Sequence, residues 1–258
     1  HSWYQGMLGT NESLYPWMDE GFTTYGADRV RGFLENNFSF EGTFSRDYSS
    51  YVSLAKGGRE EPMSTHSDHY NTNYAYSLAS YSKGAVFLEQ LGYIVGQQTL
   101  DNILAEYYRL WRFKHPNAND FIRVAEKVSD MKLDWYKEYW IYTTKTIDYG
   151  IDSLYESNGL TNVRLKDLGM VPMPVEVKIT FKDSSSEWHY VPMSLQFGEK
   201  PAEDGQIDRK VYSEWKWTDP TYEISTTHHL KDIISIEIDP SGRMADVDRR
   251  NNKLELKW

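Results

Sequence analysis

Over the first 145 or so positions, apolar residues recur at helical spacing. Between 99 and 113, Leu100, Ile103, Leu104, Tyr107 and Trp111 share one face of a helix. After the breaker His115-Pro116-Asn117, Phe121, Ile122, Ala125 and Val128 repeat the pattern. Leu133, Tyr136 and Trp140 repeat it once more. Each stripe predicts a core-facing helix. Residues 41–65, rich in Ser, Gly and Glu, carry no such stripe in this reading and predict a long loop. From about 148 the period falls to two. Val175, Val177, Ile179 and Phe181 alternate with Glu176, Lys178, Thr180 and Lys182, and Ile234, Ile236 and Ile238 alternate with Ser235, Glu237 and Asp239. Further strands are expected at 148–156, 161–167, 187–193, 209–215 and 221–227. Seven short strands separated by turn residues predict a β-sandwich. The pattern therefore predicts an α + β chain, with a mainly helical part at 1–147 followed by an all-β sandwich domain at 148–258.

Composition narrows the function classes. The 258 residues are 40% hydrophobic and 26% charged, with 9 Trp, 20 Tyr and 10 Phe, as in a folded globular protein. A formal net charge of −10 and the lack of any basic stripe argue against nucleic acid as a partner. With no cysteine, disulfides, thiol catalysis and thiolate metal sites are excluded. No apolar run reaches the about 18 residues of a membrane span. The chain opens on His1 inside a helical pattern, without Met or a signal peptide, which predicts a fragment of a longer protein.

The first thirty residues carry the chemistry. Pro16 opens a helix, and Glu20 follows within it, beside Gly21. Eighteen residues separate His1 from Glu20. In one large group of zinc peptidases the motif His-Glu-x-x-His is followed, eighteen residues later, by a Glu. Two His on one helix face and the distant Glu bind the ion and leave the fourth position to water. The flanks extend the match through His1-Ser2-Trp3-Tyr4 and Trp17-Met18-Asp19-Glu20-Gly21-Phe22-Thr23. Sixty-one residues after Glu20 stands Tyr81-Ser82-Lys83-Gly84. The sequence resembles the aminopeptidase N family, which includes the leukotriene hydrolase, and the likeness covers residues 1–145.

The resemblance implies the helical part of a thermolysin-like catalytic domain, with His1 and Glu20 as metal ligands, zinc as cofactor and peptides as substrate. It implies Tyr81 as the catalytic phenol, whose O–H stabilises the oxyanion of the tetrahedral intermediate. Asp19 departs from the family's Asn and adds a charge beside the ligand. The resemblance also implies pieces that lie before His1: the first zinc His, the general-base Glu, a Gly-x-Met-Glu-Asn segment and an amino-terminal domain. This missing amino-terminal half of the same protein is therefore expected as a partner. With two ligands only, the fragment is expected to bind zinc weakly or not at all and to be inactive alone. The alternative is a degenerate relative acting as an interaction or scaffold module. Epoxide hydrolysis, as in the leukotriene enzyme, is chemically open but has no support in these residues.

Other candidates receive plainer readings. His66-Ser67-Asp68-His69 is expected in a solvated or pocket-shaping loop, and His228-His229 in a strand, facing opposite ways. Glu60-Glu61 is read as a solvated acidic turn. Tyr212, Trp215 and Trp217 are expected to pack rather than to stack on sugar. The sequence does not fix the compartment; a periplasmic or extracellular location fits an acidic, aromatic-rich, cysteine-free chain.

Overall fold

The computed structural model describes residues 1–37 and 39–257. They fold as two units, His1–Lys145 and Thr146–Trp258, so the division falls two residues before the one expected. The chain is α + β: helices fill the first unit and two sheets the second.

Helices α1 (Gln5–Leu8) and α2 (Pro16–Leu34) open the first unit, and Pro16 stands at the amino-terminal turn of α2. There its missing N–H costs nothing. Next come α3 (Phe40–Thr43) and α4 (Ser45–Lys56). These two helices replace most of the loop expected at 41–65. The buried residues Tyr48, Tyr51 and Leu54 recur every third position in α4, but interleaved serines dilute the stripe. A continuous rod then runs from α5 (Asn73–Ser77) through a π-helical segment, Leu78–Lys83, into α6 (Gly84–Val95). All twelve residues of α6 are buried, the polar Glu89 and Gln90 included. Helices α7 (Gln97–Trp111), α8 (Ala118–Ser129) and α9 (Asp134–Tyr142) follow where the stripes predict them. Asn117 and Asp120 form a reciprocal capping box on α8.

Aromatic rings fill the centre of this unit. Phe22 of α2 meets Phe121 of α8 edge-on at 5.0 Å, and Trp17 meets Phe87 of α6 at 5.1 Å. Tyr136 stacks on Phe87 at 4.9 Å and donates its O–H to the Phe87 carbonyl at 2.8 Å. Gln90 Nε2 donates to the same phenol oxygen, so that buried hydroxyl both donates and accepts.

In the second unit β1 (Tyr149–Ser157), β2 (Leu160–Asp167) and β6 (Thr221–Thr226) form a three-stranded antiparallel sheet. The β1–β2 turn is Asn158-Gly159, both at positive φ, as a tight two-residue hairpin requires. The second sheet has the order β5 (Lys210–Val211), β4 (Ser186–Val191), β3 (Val175–Phe181), β7 (Ile233–Ile238), β8 (Lys253–Glu255). The strand expected at 209–215 shrinks to two residues, and β8 is unforeseen, being only three residues of mixed polarity. Glu176 stands at a polar position of the β3 alternation, yet it is buried. It meets the equally buried Lys200 at 2.6 Å, so the charge is paired rather than solvated.

Candidate active site

Helix α2 places Asp19 and Glu20 between two aromatic anchors, Trp17 and Phe22, both buried. With these held, Glu20 turns its carboxylate toward the start of the chain, where His1 Nε2 lies 2.7 Å from Glu20 Oε2. Asp19 turns the same way, its Oδ1 3.5 Å from His1 Nε2. Among the described residues these three make the one group of three or more His, Asp or Glu whose ligand atoms converge, all within 4.8 Å of one another. Asp19 is buried, and its Oδ1 has no hydrogen-bond partner. Burial first, then Glu20 and Glu12, push its carboxyl up to about 7. One imidazole nitrogen and two carboxylates, one with an orphaned buried oxygen, are the donor chemistry that zinc takes, so the residues present fit the ion that the sequence implies.

A backbone crossing brings in the phenol. A Cβ on Gly21 would lie 2.6 Å from Gly84 Cα, and one on Gly84 would lie 2.8 Å from Gly21 Cα. Helix α2 and the rod carrying Tyr81 therefore touch main chain to main chain, and only glycine fits at either position. Each glycine adjoins a motif: Gly21 follows Glu20, and Gly84 closes Tyr81-Ser82-Lys83-Gly84. The π-helical turn at 78–83 adds a residue to the rod just where Tyr81 leaves it, a distortion that functional sites often carry. Tyr81 is 38% exposed. Burial, then the Glu20 carboxylate close to its hydroxyl, raise its phenol well above the ordinary range. Tyr76, on α5, joins the group unforeseen. Its phenol is also raised, by burial and then by Glu20, Asp19 and Glu12.

Lys83 does not share the site with Tyr81. Its ammonium is fully buried and meets Glu60 Oε1 at 2.7 Å, with the Glu60 side chain 4% exposed. It donates also to the Thr143 carbonyl at 3.3 Å and faces the ring of Trp140 at 5.2 Å. Burial lowers the Lys83 pKa and raises that of Glu60, each partly offset by the other. The reading of Glu60 as a solvated turn is thereby corrected. Sequence offered no signal for this pair, because the two lie twenty-three positions apart with a 3₁₀ turn between them.

The remaining candidates stand apart from the site. His66 Nδ1 accepts from the Asp68 amide, and its ring lies 4.8 Å from that of His69. His228 and His229 lie beyond the end of β6, not in a strand; His228 stacks on Phe181 at 3.8 Å. Trp215 is buried against Tyr149, whereas Trp217 is exposed, contrary to the expected packing. A groove of about 900 Å³ runs beside His1, Trp3, Tyr4, Val30 and Tyr108. Of the converging residues it reaches His1, while Asp19, Glu20 and Tyr81 do not line it.

Comparison with known proteins accords with this geometry. Residues 1–140 match the model of the peptidase family M1 domain. Leucine aminopeptidase 2-1 of Meyerozyma guilliermondii is 27% identical over 161 residues, covering 55% of this chain and 25% of that protein. A leukotriene A-4 hydrolase homolog of Botryotinia fuckeliana is 26% identical over 132 residues, covering 47% of this chain and 19% of the relative. In fold, the chain resembles Legionella pneumophila aminopeptidase A, solved with aspartic acid, at a TM-score of 0.56 and 11% identity. That likeness covers 92% of this chain and 24% of the other. The chain thus spans about a quarter or less of the length of these proteins. With the family's domain matched over more than half of its residues, the chain belongs to peptidase family M1.

Proposed function

We propose that the complete protein is a zinc-dependent aminopeptidase and that this chain carries the downstream part of its active site. The reading rests on one observation: His1, Glu20 and Tyr81, far apart in sequence, meet at one place beside the Gly21–Gly84 crossing. His1 Nε2 and Glu20 Oε2 would hold the ion, which when bound polarises the scissile carbonyl and acidifies the attacking water. Tyr81 donates its O–H to the oxyanion that forms as water adds to that carbonyl. Its raised pKa keeps the phenol protonated at neutral pH, so it remains a donor. The second His and the general base come from outside these 258 residues, and the chain alone lacks peptidase activity. The first unit is then the helical part of the catalytic domain, and the two sheets of the second are the leaves of a β-sandwich.

The test is release of an amino-terminal residue from a chromogenic peptide by the complete protein, before and after chelation and with zinc restored. Activity should vanish and return, while this chain alone stays at background. Tyr81→Phe in the complete protein should lower kcat by about 10²–10³-fold with KM little changed. Full kcat in that variant would remove Tyr81 from the mechanism. An inert complete protein would leave a non-catalytic interaction module as the better reading.

A further inference from the structure

Helix α1 has four residues, too few to hold its own shape. Yet this turn sets where His1 stands. The Gly6 N–H donates to the His1 carbonyl at 2.8 Å, and the Leu8 N–H to the Tyr4 carbonyl at 2.7 Å. Support comes from the link between α7 and α8. There the Phe113 N–H donates to the Met7 carbonyl at 2.6 Å, and the His115 N–H to the Leu8 carbonyl at 3.0 Å. His115 Nδ1 lies 2.8 Å from the Gly9 carbonyl oxygen. A carbonyl oxygen only accepts, so Nδ1 carries the proton and donates. Three consecutive carbonyls at the end of α1, which the helix itself leaves open, thus receive three donors from residues 113–115.

Two further features single out this contact. Phe113 and His115 both stand in the left-handed region, at φ 66° and 57°, which bulky side chains rarely adopt. The Phe113 ring is 67% exposed, so burial of the ring does not account for the strain; the N–H groups turned toward α1 do. On the other side, Gly9 turns at φ 64°, and a Cβ there would lie 2.7 Å from His115 Nδ1. The imidazole occupies the place where any other residue's side chain would begin.

We propose that His115 is a positioning residue for the metal ligand His1. Its Nδ1–H and backbone N–H fix the end of α1, and the turn carries that constraint back to His1, opposite Glu20 on α2. The inference rests on the reading of His1 and Glu20 as ligands and adds a residue that touches neither ion nor substrate. A ligand on an untied turn spends part of its time away from the ion, whereas one held by outer hydrogen bonds stays oriented.

The test uses the complete protein with His115 replaced by Asn, Asp or Ala. Asn and Asp share one shape, and both tolerate the left-handed region. The Asn amide can set a donor where Nδ1 stands, whereas a carboxylate sets there an acceptor that the Gly9 carbonyl repels. His115 is exposed, and circular dichroism checks that each variant folds. Zinc affinity is read by competition with a chromophoric chelator, and kcat and KM with a chromogenic peptide. His115→Asp and His115→Ala should weaken zinc binding by about tenfold or more. His115→Asn should recover most of that loss, and kcat should follow the same order with KM little changed. Gly9→Ala should reproduce the loss, because its methyl displaces the ring. A role confined to folding would treat Asn and Asp alike, so equal zinc affinities in those two variants overturn the inference. Glu20→Gln separates the two readings. If it loses zinc while His115→Asp and Gly9→Ala bind like the unaltered protein, only the role of His115 falls. If it binds zinc undiminished, the assignment of the ligands falls and this inference with it.

Discussion

A buried ammonium two residues from a catalytic candidate has consequences that a surface lysine would not. Lys83 is surrounded by Glu60, the Thr143 carbonyl and the face of Trp140. Removing one member of such a pair leaves the other charge buried without an answer, whereas replacing both with apolar groups of similar size is often tolerated. Lys83→Met should therefore destabilise the helical unit by about 3–5 kcal/mol. The double variant Lys83→Met with Glu60→Leu should recover most of the loss. Urea unfolding of the three proteins measures this, and equal losses in single and double variants would refute it. At this scale the sequence was legible only in part. His1, Glu20 and Tyr81 stood out because their spacing and flanks resemble a known motif. Glu60 did not, since its pairing with buried Lys83 comes from a contact distant in the chain.

At the scale of elements, the crossing of α2 with the rod of α5, the π-helical turn and α6 organises the site. A methyl group at position 84 has no flexible neighbour to push aside, because the nearest atoms are the main chain of Gly21 and the Trp17 carbonyl. Gly84→Ala should cost about 1–3 kcal/mol, as overpacking does, and should loosen Tyr81 from Glu20. Amide hydrogen exchange would show faster exchange at 78–84 in the variant, and unchanged protection there would contradict the crossing as drawn. Most helices were readable because an apolar stripe needs only local spacing, and the paired strands likewise showed their period of two. Helix α4 escaped because serines interrupt its stripe of Tyr48, Tyr51 and Leu54. Strands β5 and β8 were misjudged because at two and three residues their existence depends on partners, not on their own pattern. The π-helical turn had no sequence signal.

Across the whole molecule, two buried groups, one in each unit, should answer acid in opposite senses. In the first, burial and then the hydrogen bond and charge of Asp47 raise Asp28 to about 7. A carboxyl raised in the folded state contributes stability that is present at low pH and lost as pH climbs from about 4 to 7. In the second, burial and then the Lys210 charge depress His189 to about 4, against an opposing Glu187. A histidine kept neutral by folding contributes stability above about 6.5 that is lost as pH falls toward 4. Relative to Asp28→Asn, the unaltered chain should thus gain stability between pH 7 and 4; relative to His189→Gln, it should lose it over the range 6.5 to 4. Chemical unfolding at a series of pH values tests both, and parallel profiles would refute the assignment. The glycine contact bears on tolerance to change. Because the spacing between the Glu20 and Tyr81 backbones is set where two main chains meet, side chains around the site can vary without altering that interval. Substitutions there would retune charge and access, whereas a single methyl at residue 21 or 84 would change the dimensions of the site.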